Sequence, residues 1–184
     1  MPKRISPDLV VFGLLTAMGI LGRLVPHPPN FTPIAATALF AGFFFRSATV
    51  AACVPVAALI VGDLVTGAYD PRLMAVVYAS LVIPLACRSV LRRRLSPLRL
   101  ALCSMISSVI FFAATNLAVW LFGDWYPRTL AGLTSCMIAG VPFFRNTVCG
   151  DLAFSAAIFS CYAVAVRTPH FAARTDCGSL AATA

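Results

Sequence analysis

An uncharged run of 23 residues from Leu100 to Phe122 constrains this chain more than any other feature. At about 1.5 Å per residue, a helix of that length crosses a hydrocarbon layer roughly 30 Å thick. Similar apolar runs recur along nearly all 184 residues, 60% of which are hydrophobic. A single transmembrane domain over 1–184 is therefore expected, with no length left for a separate soluble one. The start has the charge pattern of a secretory leader, Lys3 and Arg4 before Leu9–Gly22. Arg23 and Pro26-His27-Pro28-Pro29 follow, however, in place of small cleavage-site residues. The first segment is expected to remain as a helix.

The pattern predicts an all-α integral membrane bundle of six transmembrane helices, with a short re-entrant or interfacial helix before the last. The predicted spans are Asp8–Leu24, Pro33–Phe45, Ala48–Val65, Leu73–Leu91, Leu98–Phe122 and Thr147–Val166. Pro55 and Pro84 fall inside spans, where membrane helices tolerate a kink. Joining the second and third spans would place Arg46 near the middle of the bilayer, so a hairpin at Arg46 is preferred. The apolar piece Thr129–Pro142 is short for a crossing, and Pro127 and Pro142 bracket it as a separate element.

Charge sets the orientation. With the N-terminus cytoplasmic, the inner side holds Lys3, Arg4, Arg46, Arg88, Arg92, Arg93, Arg94, Arg99, Arg167 and Arg174. The other side holds Arg23, Arg72, Arg128 and Arg145. This asymmetry obeys the positive-inside rule and predicts a multi-pass inner-membrane protein with both termini cytoplasmic. The Arg92–Arg94 cluster is read the same way, so the net charge of +8 is no argument for nucleic acid. The seven cysteines (53, 87, 103, 136, 149, 161 and 177) show no CxxC spacing and read as small, buried, unpaired thiols.

Three segments on the extracytoplasmic side carry the unusual residues. The first, Arg23 to Pro33, holds His27 and Asn30 among four prolines that stiffen the loop. His27 has no Cys or His cluster beside it, so no metal site and no cofactor is expected. The second holds Asp63 at the end of an apolar helix, where the helix dipole offers an acid nothing. The third holds Asn116, Trp120, Asp124, Trp125, Tyr126 and Arg128, then Arg145, Asn146 and Asp151. Trp120, Trp125 and Tyr126 also suit an interfacial aromatic belt. Asn116 and Asp151 lie within predicted spans, where polar residues are functional candidates. Asp151 is also favourably placed near the start of the predicted last helix. Asp63, Asn116 and Asp151 are expected to face a common cavity, with Trp120 or Tyr126 as its stacking surface.

The strings RLVPHPPNFTPIAATALFAG, N-x3-W-x5-YPRT-x2-GL from Asn116, and PFFRN-x3-GDL from Pro142 carry a resemblance. The chain resembles an uncharacterised family of bacterial membrane proteins assigned to transport. That family is related to the substrate-binding S components of energy-coupling-factor vitamin transporters. The resemblance implies a six-helix bundle that binds a small micronutrient from the extracytoplasmic side, beneath covering loops. An energising transmembrane and ATPase module is the implied partner. The substrate-binding positions carried over are Arg23, His27, Asn30, Asp63, Asn116, Trp120, Tyr126, Arg128, Arg145, Asn146 and Asp151. The chain departs from S components in carrying Gly13-x-x-x-Ala17 where they carry Ala-x-x-x-Ala, a common packing pair. It also has no cysteine in Val65–Arg72, so the cobalamin ligation of one related lineage is not expected.

No Gly-rich phosphate loop, HExxH or nucleophile elbow is present, and an enzyme is not expected. A binding or transport protein for a vitamin-type or cofactor-precursor molecule leads. A structural or assembly protein, or a small membrane enzyme using Asp63, Asp151 and His27, remains open.

Overall fold

A computed structural model of the protein describes residues 6–67 and 69–167. Lys3, Arg4, Arg174 and Cys177, used in the sequence reading, lie outside the described residues. The regular structure of the described residues is helical, with no strand: α1 (Pro7–Leu24), α2 (Ile34–Phe44), α3 (Ala48–Thr66), α4 (Pro71–Val82), α5 (Arg88–Arg93), α6 (Pro97–Phe122) and α7 (Leu130–Arg167). A 3-10 turn, Ile83–Cys87, links α4 to α5.

Three of these helices begin with the same two-residue signal. Ser6-Pro7, Asp70-Pro71 and Ser96-Pro97 each place a side-chain oxygen on an early backbone N–H and a proline in the first turn. The cap satisfies an orphan donor, and the proline lacks the N–H that would otherwise stay unpaired there. Ser47 caps α3 in the same manner.

Five segments are long and apolar enough to cross a membrane: α1, α3, Pro71–Arg93 taken together, α6 and α7. The sixth, α2, is apolar but has only 11 residues, about 16 Å of helix. It runs through the middle of the bundle and packs on α1, α3, α4, α5, α6 and α7. Ile34 to Gly42 are all buried, so α2 is apolar on every face. Its phenylalanines fill the core. Phe40 meets Phe159 edge-on at 5.1 Å and Phe43 meets Tyr162 at 5.6 Å. The flanking helices turn the opposite faces outward, with Leu14, Leu64, Ile106 and Val164 exposed as in a bundle solvated by lipid.

Two local predictions need correction. The separate element expected over Thr129–Pro142 does not form; it joins the predicted last span in one 38-residue helix, α7, with Pro142 inside it. Proline removes one backbone hydrogen bond, which packing against α6 outweighs. Pro84, by contrast, converts its helix into the 3-10 turn. The six cysteines among the described residues are unpaired, but of these only Cys103 and Cys136 are buried, while Cys53, Cys149 and Cys161 are exposed. A thiol is apolar enough to face lipid.

Arginines collect at one end. Arg92 donates through Nε to the Phe43 carbonyl at 2.8 Å and through Nη2 to that of Phe45. Arg88 donates to the Arg46 carbonyl at 2.6 Å. These carbonyls terminate α2 or follow it, and the arginines supply both donors and the charge sign that a helix C-terminus favours.

Candidate functional site

At the opposite end, a cavity of about 290 Å³ opens between α1, the loop 25–33, α3, α4, α6 and α7. Arg23, His27, Asn30 and Asp151 line it, as do Thr32, Thr66, Tyr69, Ser80, Ser107 and Thr147. Ile34, Val77, Leu81 and Phe111 supply apolar wall.

Arg23 stands in the last turn of α1 and is held by α3. Its Nη2 donates to Asp63 Oδ1, and Tyr78 OH from α4 donates to Asp63 Oδ2 at 2.8 Å. Asp63 is 5% exposed and Arg23 19%, so the pair sits mostly inside the protein, with Arg23 reaching the cavity. The Arg23 side chain packs against Gly62, where any Cβ would overlap it. A glycine before Asp63 is therefore what lets α1 and α3 share this ion pair. Asp63 itself binds Arg23 and Tyr78 rather than lining the cavity.

The loop 25–33 is pinned over the cavity from α7. Asn146 Nδ2 donates to the Pro29 carbonyl at 3.1 Å, and the Phe31 ring packs on Phe154 at 5.4 Å. Asn30 adopts a left-handed backbone (φ 63°), which asparagine tolerates better than most residues. His27 Nδ1 lies 2.8 Å from the Pro28 carbonyl, which leaves Nε2 available. Tyr69, just before α4, has its phenol pKa raised by burial and, after that, by the Asp63 carboxylate. Asp70 beside it caps α4, and its hydrogen bonds to Arg72 lower its pKa to about 2.

Asp151 forms part of the cavity floor. It is 4% exposed and accepts from Ser108 Oγ at 2.6 Å. Because α7 starts at Leu130, Asp151 sits mid-helix, and the helix-start stabilisation expected for it does not apply.

The other predicted site residues lie elsewhere. Asn116 donates to the Phe112 carbonyl at 2.8 Å and sits against Gly140, where it packs α6 onto α7. Trp120 Nε1 donates to the Pro127 carbonyl at 3.0 Å and holds the turn between those helices. Tyr126 is half-buried in that turn, Arg128 is exposed 4.0 Å from Asp124, and Arg145 is exposed on α7. Asn146 supports the site through the loop without lining it. The common cavity expected for Asp63, Asn116 and Asp151 thus receives Asp151 directly, Asp63 through Arg23, and not Asn116. The stacking surfaces on the cavity are Tyr69 and Phe111.

Sequence reasoning missed the hydroxyl residues of the floor. Ser107 and Thr147 donate back to carbonyls four residues earlier on their own helices. A cluster of serines at 104, 107 and 108 inside an uncharged span was the available signal. No group of three His, Cys, Asp or Glu side chains suited to a metal forms among the described residues.

The helices and the cavity together define a multi-pass membrane protein with a polar chamber in one end of its bundle. Residues 3–173 match DUF6580, a family of unknown function, and the chain belongs to that family. No curated protein and no solved structure matches it.

Proposed function

We propose that this protein binds a small polar micronutrient, of vitamin or cofactor-precursor type, from the extracytoplasmic side of a bacterial inner membrane and serves its uptake. The observation that carries this reading is the convergence of Arg23, His27, Asn30 and Asp151 on one cavity at the end opposite the arginine cluster. In this reading α2 completes a set of six crossings, with both termini cytoplasmic, as the positive-inside rule requires. The cavity is near the lower limit for ligand sites and suits a compact molecule. Arg23 offers a cation to an acidic group, Asp151 and Asn30 orient amide or hydroxyl groups, and Tyr69 and Phe111 face a ring. The resemblance to S components supports an energising transmembrane and ATPase module as partner. Gly13 and Ala17 form an exposed small face on α1 that leaves room for it.

Native mass spectrometry of the purified protein tests the binding step. A small-molecule adduct is expected on the wild type and a weaker one on Asp151→Asn and Asn30→Ala, with all three equally folded. A removed hydrogen-bond partner in such a site costs about 1–3 kcal/mol, enough to read as lost occupancy. A wild type that carries no adduct and takes up no compound from a vitamin panel would sink the proposal.

A further inference from the structure

A second cavity, of about 600 Å³, lies between α6 and α7 at the arginine-rich end. Leu100, Leu152 and Phe159 wall it, with Ser96 and Arg167 at its rim. Ser104 and Ser155 also line it; they are 0% and 1% exposed, and neither hydroxyl has a hydrogen-bond partner. A buried hydroxyl without a partner is costly, so two in one cavity, one from α6 and one from α7, mark a place where water or another polar group belongs.

The two cavities nearly meet. Ser104 and Ser108 are one turn apart on α6, and Asp151 and Ser155 are one turn apart on α7, about 6 Å in each case. The first cavity reaches Ser107 and Asp151, and the second reaches Ser104 and Ser155. What separates them is the layer in which Ser108 Oγ donates to Asp151 Oδ2.

The geometry points to a proton path through the bundle, with Asp151 as the group that passes a proton between the two cavities. This deepens the transport reading above, on which it rests, by naming an ion that the bundle itself would move. Asp151 is the carboxyl at this depth on the α6–α7 interface, and a carboxyl both takes up and releases a proton. No Lys, Arg or His nitrogen lies within 4.0 Å of it among the described residues, so no fixed charge neutralises it there. Arg23, His27 and Tyr69 line the first cavity with it, α6 presents Ser107 and Ser108, and Arg167 lines the second cavity. A proton from water in the first cavity adds to the Asp151 carboxylate. When the Ser108 contact opens, the carboxyl releases that proton to water beside Ser104 and Ser155 and returns to carboxylate. One proton enters and one leaves, and only O–H bonds form and break.

Purified protein in liposomes with a trapped pH dye tests the path, with a potassium diffusion potential as the driving force. The wild type should acidify the lumen faster than empty liposomes. Asp151→Asn should fall to the empty-liposome rate, while Asp124→Asn, exposed in the turn between α6 and α7, should keep the wild-type rate. A wild type no faster than empty liposomes, or an Asp151→Asn variant as fast as wild type, overturns the proposal. Accessibility gives a second reading, by labelling single cysteines on a cysteine-free background with an impermeant thiol reagent. Thr147→Cys should react from the extracytoplasmic side and Ser104→Cys from the cytoplasmic side. A Ser104→Cys that stays unlabelled, as it would beneath a lipid chain filling the second cavity, overturns the path. Native mass spectrometry on the same preparation separates the two claims. A bound ligand without proton flux sinks the path alone, and flux without any ligand sinks the micronutrient reading alone.

Discussion

Asp63 illustrates the terms on which a carboxylate is kept inside an apolar bundle. Its two oxygens have one donor each, a guanidinium and a phenol. Removing one partner of a buried pair leaves the other uncompensated, typically at about 3–5 kcal/mol. Arg23→Met should therefore lower the thermal stability of the protein in detergent markedly, and Tyr78→Phe less, by about 1.5–3 kcal/mol. The double variant Arg23→Met/Asp63→Leu should recover much of the loss. An Arg23→Met protein as stable as wild type would show that water already serves Asp63. Asp70 makes a contrasting prediction, because it caps α4 at the surface. Its folded pKa of about 2 lies below the ordinary 3.8, so its stabilisation is full above the ordinary value and disappears as the pH falls towards 2. The stability gap between wild type and Asp70→Asn, followed by thermal unfolding from neutral pH downwards, should hold to about pH 4 and then close. A gap that persists at pH 2 would mean that Asp70 acts otherwise than as an ionised cap.

Among the elements, α7 is the one whose form the sequence concealed. Among the described residues proline falls inside three helical stretches with two outcomes: Pro55 and Pro142 stay within α-helix, and Pro84 yields a 3-10 turn. Nothing local distinguishes these cases, since the outcome depends on how firmly neighbouring helices hold the backbone on either side. The apolar runs, by contrast, placed a predicted span on each of the five segments long and apolar enough to cross a membrane, because length and hydrophobicity are properties of the segment alone. The site was legible to the same degree. Arg23, His27, Asn30 and Asp151 were visible as polar residues in an apolar chain. Asn116 was assigned to the wrong surface because α6 is apolar all round and its sequence does not say which side meets α7. A backbone-bonded serine is ordinary in a membrane helix, so Ser107 taken singly did not stand out, and only its clustering with Ser104 and Ser108 hinted at a cavity. Gly140 offers a test of the α6–α7 seam. A Cβ there would collide with the Asn116 amide, so Gly140→Leu should part the helices and lower the melting temperature. Wild-type stability in this variant would show the seam to be looser than described. Close approach of α1 rests instead on Gly19, whose missing Cβ lets α1 meet Ala58 of α3.

At the scale of the molecule the two ends differ in kind. One end spends its arginines on backbone carbonyls, and the other places Arg23, His27 and Asp151 around a chamber. If the proposed orientation holds, Arg93→Cys on a cysteine-free background stays unlabelled by an impermeant reagent added outside cells, while Arg145→Cys reacts. The reverse pattern would invert the protein and place the chamber in the cytoplasm. The arginine contacts also bear on the order in which the chain is assembled. At 11 residues, α2 is too short to be recognised as a membrane segment by itself. The donors that close its far end come from Arg88 and Arg92, 42 and 49 residues further along. A ribosome that has just delivered α2 has not yet made the side chains that finish it. The most enclosed helix of the protein is thus among the last to settle, and a nascent chain halted before Arg88 should leave α2 open to protease.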